Sequence, residues 1–155
     1  MSTLQKNDNY IGQLLIREGV INQDDLIRGL KQQEESRDFL CSTLVKLGMA
    51  SEERIYSILS LQIGIPYLSL QNCPIDPLVV NCLPGKLSQA CGCLVFKMMD
   101  DTYYVAMSDP LNTQAIEEVK GYLGTRHLKV FLTGDNELQS ALRKFFTLPS
   151  ADMNS

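Results

Sequence analysis

Gly85-Lys86 is the one Gly-Lys pair in this chain of 155 residues. A lysine after a glycine-rich loop can hold nucleotide phosphates, but that chemistry needs G-x-x-x-x-G-K-[ST]. Successive backbone N–H groups must point at the phosphates, and a hydroxyl must reach the metal. Here Val80 stands where the first glycine should be and Leu87 where the hydroxyl should be. Cys91-Gly92-Cys93 offers two thiols, and His127 is the single histidine. Zinc sites use wider cysteine pairs with more ligands nearby. The C-x-C pair therefore reads, with Cys41, Cys73 and Cys82, as small apolar core residues kept reduced. The sequence contains no G-x-S-x-G, no H-E-x-x-H and no His–Cys pair that would set up a nucleophile. An enzyme and a bound metal are not expected.

A different pattern does recur. Tyr10–Gln33 reads YIGQLLIREGVINQDDLIRGLKQQ and Phe39–Gln62 reads FLCSTLVKLGMASEERIYSILSLQ. A shift of 29 positions superimposes Leu15 on Leu44, Gly19 on Gly48, Leu30 on Leu59 and Gln33 on Gln62, and matches Tyr10 with Phe39, Asn22 with Ser51 and Leu26 with Ile55 by type. One surface built twice suits a ligand made of two like halves, or a partner helix. It does not suit a single reactive centre.

Each copy has the marks of two helices joined by a turn. In the first, Ile11, Leu14 and Leu15 fall on a helical period, and Gly19 fits a left-handed stop. Asn22 fits an N-cap ahead of Asp24 and Asp25, and Leu26, Ile27, Leu30 and Gln33 form one stripe. In the second, Leu40, Thr43, Leu44 and Leu47 form the stripe and Gly48 the stop. Ser51 caps Glu52 and Glu53, and Ile55, Ile58, Leu59 and Gln62 follow. Gly64-Ile65-Pro66 closes the helical half, and Tyr67–Leu70 reads as extended. Asp76 caps a short helix over Pro77–Cys82, and Pro84 opens another to Ala90. Cys93–Met99 and Thr102–Met107 read as a hairpin turning at Asp100-Asp101. A helix over Asn112–Leu123, a strand over Leu128–Leu132 and a helix over Asn136–Phe146 complete the chain.

The expected fold class is α+β. An extension of residues 1–9 leads into a repeated helical subdomain of residues 10–63. An α/β subdomain of residues 64–146 follows, its short mixed sheet covered on one face by helices, and residues 147–155 form a flexible tail. A net charge of −4 argues against a duplex nucleic-acid binder, which needs a basic face. The polar N-terminus has no secretory h-region, and no run approaches the ~18 apolar residues of a membrane span, so no membrane insertion and a cytoplasmic location are expected.

The repeat resembles the paired motif of the MshEN family, the N-terminal domain of type II secretion and type IV pilus assembly ATPases (the GspE N-terminal domain family). That motif runs R-L-G-x-x-L-x-x-x-G-x-I-x-x-x-x-L-x-x-A-L-x-x-Q, twice, with a five-residue spacer. Ile11, Gly12, Leu15, Gly19, Ile21, Leu26, Leu30 and Gln33 match it in the first copy; Leu40, Leu44, Gly48, Ile55, Leu59 and Gln62 match it in the second, after residues 34–38. Gly64-Ile65-Pro66-Tyr67 and the run from Val105 to Asn112, with Asp109-Pro110-Leu111-Asn112 as a D-P-x-N turn, also resemble the family. The resemblance implies a module without the motor, docking on a protein component of a secretion or pilus machine. Its alternative implication is one cyclic di-GMP site made by both motifs, with Tyr10, Ile11, Gly12, Leu15, Gly19, Gln33, Phe39, Leu40, Cys41, Leu44, Gly48 and Gln62 as candidate contacts. Against the family pattern, Tyr10 and Phe39 replace the head arginines, Cys41 the second early glycine, and Ala50 an isoleucine. Losing two charge-assisted contacts of a few kcal/mol each is enough, at ~1.4 kcal/mol per tenfold, to move a micromolar site to millimolar. Stacking of Tyr10 and Phe39 on bases, at about 1–3 kcal/mol each, would oppose that loss.

Overall fold

A computed structural model describes residues 8–36, 40–125 and 127–146, with side chains from Ile11 onward. The expected extension and tail lie outside these residues, apart from the backbone of Asp8 and Asn9. Two compact units divide the chain, Met1–Tyr67 and Leu68–Ser155.

Among the described residues the first unit contains four helices: α1 (Asp8–Arg17), α2 (Gln23–Ser36), α3 (Leu40–Lys46) and α4 (Glu52–Ile63). Its interior is made of Ile11, Leu14, Leu15, Ile21, Leu26, Leu40, Leu44, Ile55, Tyr56 and Leu59. Two stripe residues do not join it, since Ile27 is 55% and Leu47 43% exposed. In α2 the buried face runs through Leu26 and Gly29, and Ile27 lies one residue (100°) off Leu26. Leu47 falls after the last residue of α3, where the chain has already left the helix.

In the second unit, a 3₁₀ turn (Leu70–Asn72), α5 (Pro77–Val80) and α6 (Gly85–Cys91) precede β1 (Cys93–Met99) and β2 (Thr102–Met107); α7 (Thr113–Leu123), β3 (Leu128–Leu132) and α8 (Asp135–Phe145) follow. The expected strands appear with their expected bounds. The short helix predicted over Pro77–Cys82 stops at Val80, the next begins after Pro84, and the last spans one position earlier than predicted. Leu68 donates its N–H to the Leu132 carbonyl at 2.8 Å before the chain coils into the 3₁₀ turn. Asp100 and Asp101 both carry positive φ, 53° and 64°, as a two-residue I′ hairpin turn requires.

The sheet is mixed, in the order β1-β2-β3, with β1–β2 antiparallel and β2–β3 parallel across the α7 connection. Helices cover both faces, not one. Leu94, Phe96 and Ala106 pack with Val80, Leu138, Ala141 and Leu142, while Cys93, Val95, Val105 and Met107 pack with Leu83, Cys91, Ala115 and Val119. The run Cys93-Leu94-Val95-Phe96 is buried without alternation, the mark of a strand covered on both sides. A bulge interrupts β1, because Val95 pairs with Val105 but Lys97, not Phe96, pairs with Tyr104.

Candidate functional site

The two repeats end their first helices with the same hydrogen bonds, 29 residues apart. Gly19 N–H donates to Ile16 O at 3.0 Å and Val20 N–H to Leu15 O at 2.9 Å; Gly48 N–H donates to Val45 O at 3.0 Å and Met49 N–H to Leu44 O at 3.1 Å. The glycines take φ of 75° and 77°. This is the Schellman closure, in which a left-handed glycine lets the next N–H reach back five residues. It accounts for the motif spacing L-x-x-x-G: the leucine carbonyl receives the long bond and its side chain is buried. The second helices start alike. Asn22 Oδ1 accepts from Asp25 N–H at 2.8 Å, and Ser51 Oγ accepts from Arg54 N–H at 3.2 Å. Only the first copy closes the reciprocal capping box, with Asn22 N–H donating to Asp25 Oδ2 at 3.1 Å.

Of the candidate contacts, Ile11, Gly12, Leu15, Leu40, Cys41 and Leu44 are buried, Gln33 is half-buried, and Gly19, Gly48 and Gln62 are exposed. The Tyr10 side chain and all of Phe39 lie outside the described residues. Gly12 faces Leu26 of the facing helix: a Cβ there would overlap Leu26 Cδ1 and lie 3.0 Å from its Cδ2. Gly29, at the alanine position of the family motif, does the same for the other contact. Its Cβ would lie 2.7 Å from Leu44 Cδ2 and 3.2 Å from Leu40 Cδ1. The sequence reading did not single out Gly29, though its place three residues after Leu26 on the buried face was the available signal.

The D-P-x-N turn joins β2 to α7. Asn112 N–H donates to Asp109 O at 3.2 Å, and Asn112 Oδ1 caps α7 by accepting from Ala115 N–H at 3.1 Å. Ser108 and Asp109 are buried at the end of β2.

All five cysteines are free thiols. Burial pushes the Cys93 thiol up to about 12, with Cys91 beside it adding to the rise. Cys91 is raised by burial and by Glu118, to which its Sγ donates at 3.9 Å. Cys82 is exposed, so it does not act as the core residue the sequence suggested, whereas Cys73 is half-buried and packs against the cluster of Leu70, Leu94, Phe96 and Leu138. His127 is exposed. Among the described residues no group of three or more His, Cys, Asp and Glu side chains is placed to hold a metal ion, and no helix is long and apolar enough to cross a membrane.

Among known proteins, the chain is 23% identical over 136 residues to the type IV pilus assembly ATPase PilB of Myxococcus xanthus, and 30% identical over 126 residues to PilB of Thermus thermophilus. These matches take in 88% and 80% of this chain but only 24% and 14% of those proteins. Among solved structures, MshE determined with cdg superposes with a TM-score of 0.68 at 26% identity, covering 88% of this chain and 98% of that one. The N-terminal domain of XpsE superposes with a TM-score of 0.64 at 17% identity, covering 88% and 93%, a likeness of fold. The family model of the MshEN domain matches residues 63–152, more than half of the chain. With the paired helical hairpins and the mixed sheet already described, this chain belongs to the MshEN domain family.

Proposed function

We propose that this chain is a non-catalytic regulatory module of a type II secretion or type IV pilus machine, acting in the cytoplasm by docking on a protein component of that machine. One observation carries the reading: the chain aligns over nearly its whole length with N-terminal domains of this family, yet corresponds to a small fraction of the PilB ATPases. The absence of a G-x-x-x-x-G-K-[ST] loop from the sequence agrees with a role apart from ATP hydrolysis. The test is affinity capture of the tagged protein after in-cell cross-linking. Recovery of a secretion or pilus component supports the docking role, and its consistent absence refutes it.

A second reading, a cyclic di-GMP sensor built on the two motifs, is favoured by the likeness to MshE determined with cdg. Six of the twelve candidate contacts are buried, and the motif arginines are replaced by Tyr10 and Phe39. The module is accordingly expected to bind cyclic di-GMP weakly, and a Y10R/F39R variant to bind it at least tenfold more tightly by calorimetry. Micromolar binding by the natural chain would make the sensor the primary function. No binding by either form would remove it.

A further inference from the structure

Three strands converge on one cationic row. Lys97 of β1 pairs with Tyr104 of β2, which pairs with Lys129 of β3. The bulge at Phe96 makes this row. Regular pairing would oppose Phe96 to Tyr104 and turn Lys97 to the other face, whereas the extra residue re-aims it. Lys97 Nζ lies 5.4 Å and Lys129 Nζ 5.7 Å from the centre of the same Tyr104 ring, and Lys129 Nζ also lies 5.6 Å from the Phe131 ring. Tyr104 and Phe131 stack with centroids 6.0 Å apart. Two ammonium groups therefore share one aromatic base, and neither pairs with a carboxylate among the described residues.

Beside this row is a cleft of about 270 Å³ with Leu70, Cys73, Ile75, Ala141, Lys144 and Phe145 in its wall. Cys73 joins the two features, because the Lys97 charge acts on its thiol, partly offsetting the rise caused by burial. Lys144 Nζ sits 5.4 Å from the Phe145 ring, a third cation on an aromatic face and likewise without a carboxylate partner among the described residues. Glu137 also lines the cleft, its carboxylate accepting from Ser69 Oγ at 2.9 Å.

We infer that this surface docks an acidic segment of a protein partner, with carboxylates on Lys97 and Lys129 and an apolar side chain in the cleft. The inference rests on the docking role proposed above and locates it. Charge complementarity decides the occupant, since three unpaired lysines are gathered on aromatic faces of a protein whose net charge is −4. Lysines also guard exposed sheet edges, but guarding does not require a bulge that lays a second cation over the same ring.

The probe is a fluorescein-labelled twelve-residue peptide with a Leu-Phe pair flanked by glutamates, titrated by anisotropy against the whole chain. It is expected to bind, to weaken at least tenfold with K97E/K129E and severalfold with K97Q/K129Q, and to be unaffected by K86E, which changes an exposed lysine on α6. Circular dichroism checks that each variant folds. The inference is overturned if the peptide fails to bind, if its Glu→Gln counterpart binds equally, or if the lysine substitutions change nothing. It is also overturned if a twelve-base single strand or phosphatidylglycerol vesicles use the same lysines in its place. Cross-linked capture separates the two levels. A machine component recovered equally by wild type and K97E/K129E leaves the docking role standing and removes this surface. Lysine-dependent peptide binding with no machine component recovered does the reverse.

Discussion

The contact at Gly29 gives a direct test of how the repeated hairpins are held together. Leu44 is fully buried. Leu44→Ala should destabilise the helical unit by about 3 kcal/mol, within the usual 2–5 kcal/mol for emptying such a site. Gly29→Ala has two opposed terms. Alanine in a helix interior contributes about 0.8–1 kcal/mol relative to glycine. The new methyl, however, would sit 2.7 Å from Leu44 Cδ2 and 3.2 Å from Leu40 Cδ1, and overpacking of that kind costs about 1–3 kcal/mol. The net expectation is a loss of about 1 kcal/mol. In the double variant the Leu44 clash is gone and the methyl fills part of the void, so only the Leu40 contact still resists. Gly29→Ala should then become stabilising, with a coupling energy of about 1–2 kcal/mol. Urea titrations of the four proteins, with amide exchange in α2 and α3 as the local readout, measure this cycle. Additivity within ~0.5 kcal/mol, or stabilisation by Gly29→Ala alone, would refute the close packing of α2 on α3.

The remaining predictions concern the second unit. Asn112→Ala should cost about 1 kcal/mol by removing the cap of α7, while Asn112→Asp should retain most of it, as read from urea midpoints. The Cys93 thiol, raised to about 12 from 9.0 by burial, has a definite pH signature. Above pH 9 the unfolded chain loses a proton that the folded chain keeps, so stability should fall by about 1.4 kcal/mol per pH unit from 9 towards 12, with no contribution below 9. The difference in stability between the natural chain and Cys93→Ala, measured between pH 8 and 10.5, should follow that slope; a flat difference would contradict it. At pH 8, mass-mapped alkylation should modify exposed Cys82 first and Cys93 last.

Several features were legible in the residues alone because their causes lie within a few positions of one another. Gly19 and Gly48 stop helices through a left-handed backbone. Asn22, Ser51, Asp76 and Asn112 cap helices three residues or fewer away. The β-forming runs around Asp100-Asp101 pair across a two-residue turn. The 29-residue repeat likewise predicted twin hairpins, whose closing bonds match donor for donor. Other features depended on which surfaces meet. By its pattern Cys93-Leu94-Val95-Phe96 reads as half of a hairpin covered on one side, but α6 with α7 and α8 with α5 enclose both faces, so inward and outward lose their meaning along that run. Gly12 and Gly29 are glycines because Leu26 and Leu44 from facing helices occupy the space of a Cβ; helical spacing places Gly29 on the buried face, but which side chain meets it is set by the facing helix. Ile27 fits the apolar periodicity and still meets water, because Gly29 rather than Ile27 faces α3. The bulge at Phe96 is likewise invisible in the composition of β1, yet it sets which face carries Lys97. Backbone propensity and capping are decided along the chain, whereas register, face coverage and close approach are decided between elements that only the folded state brings together.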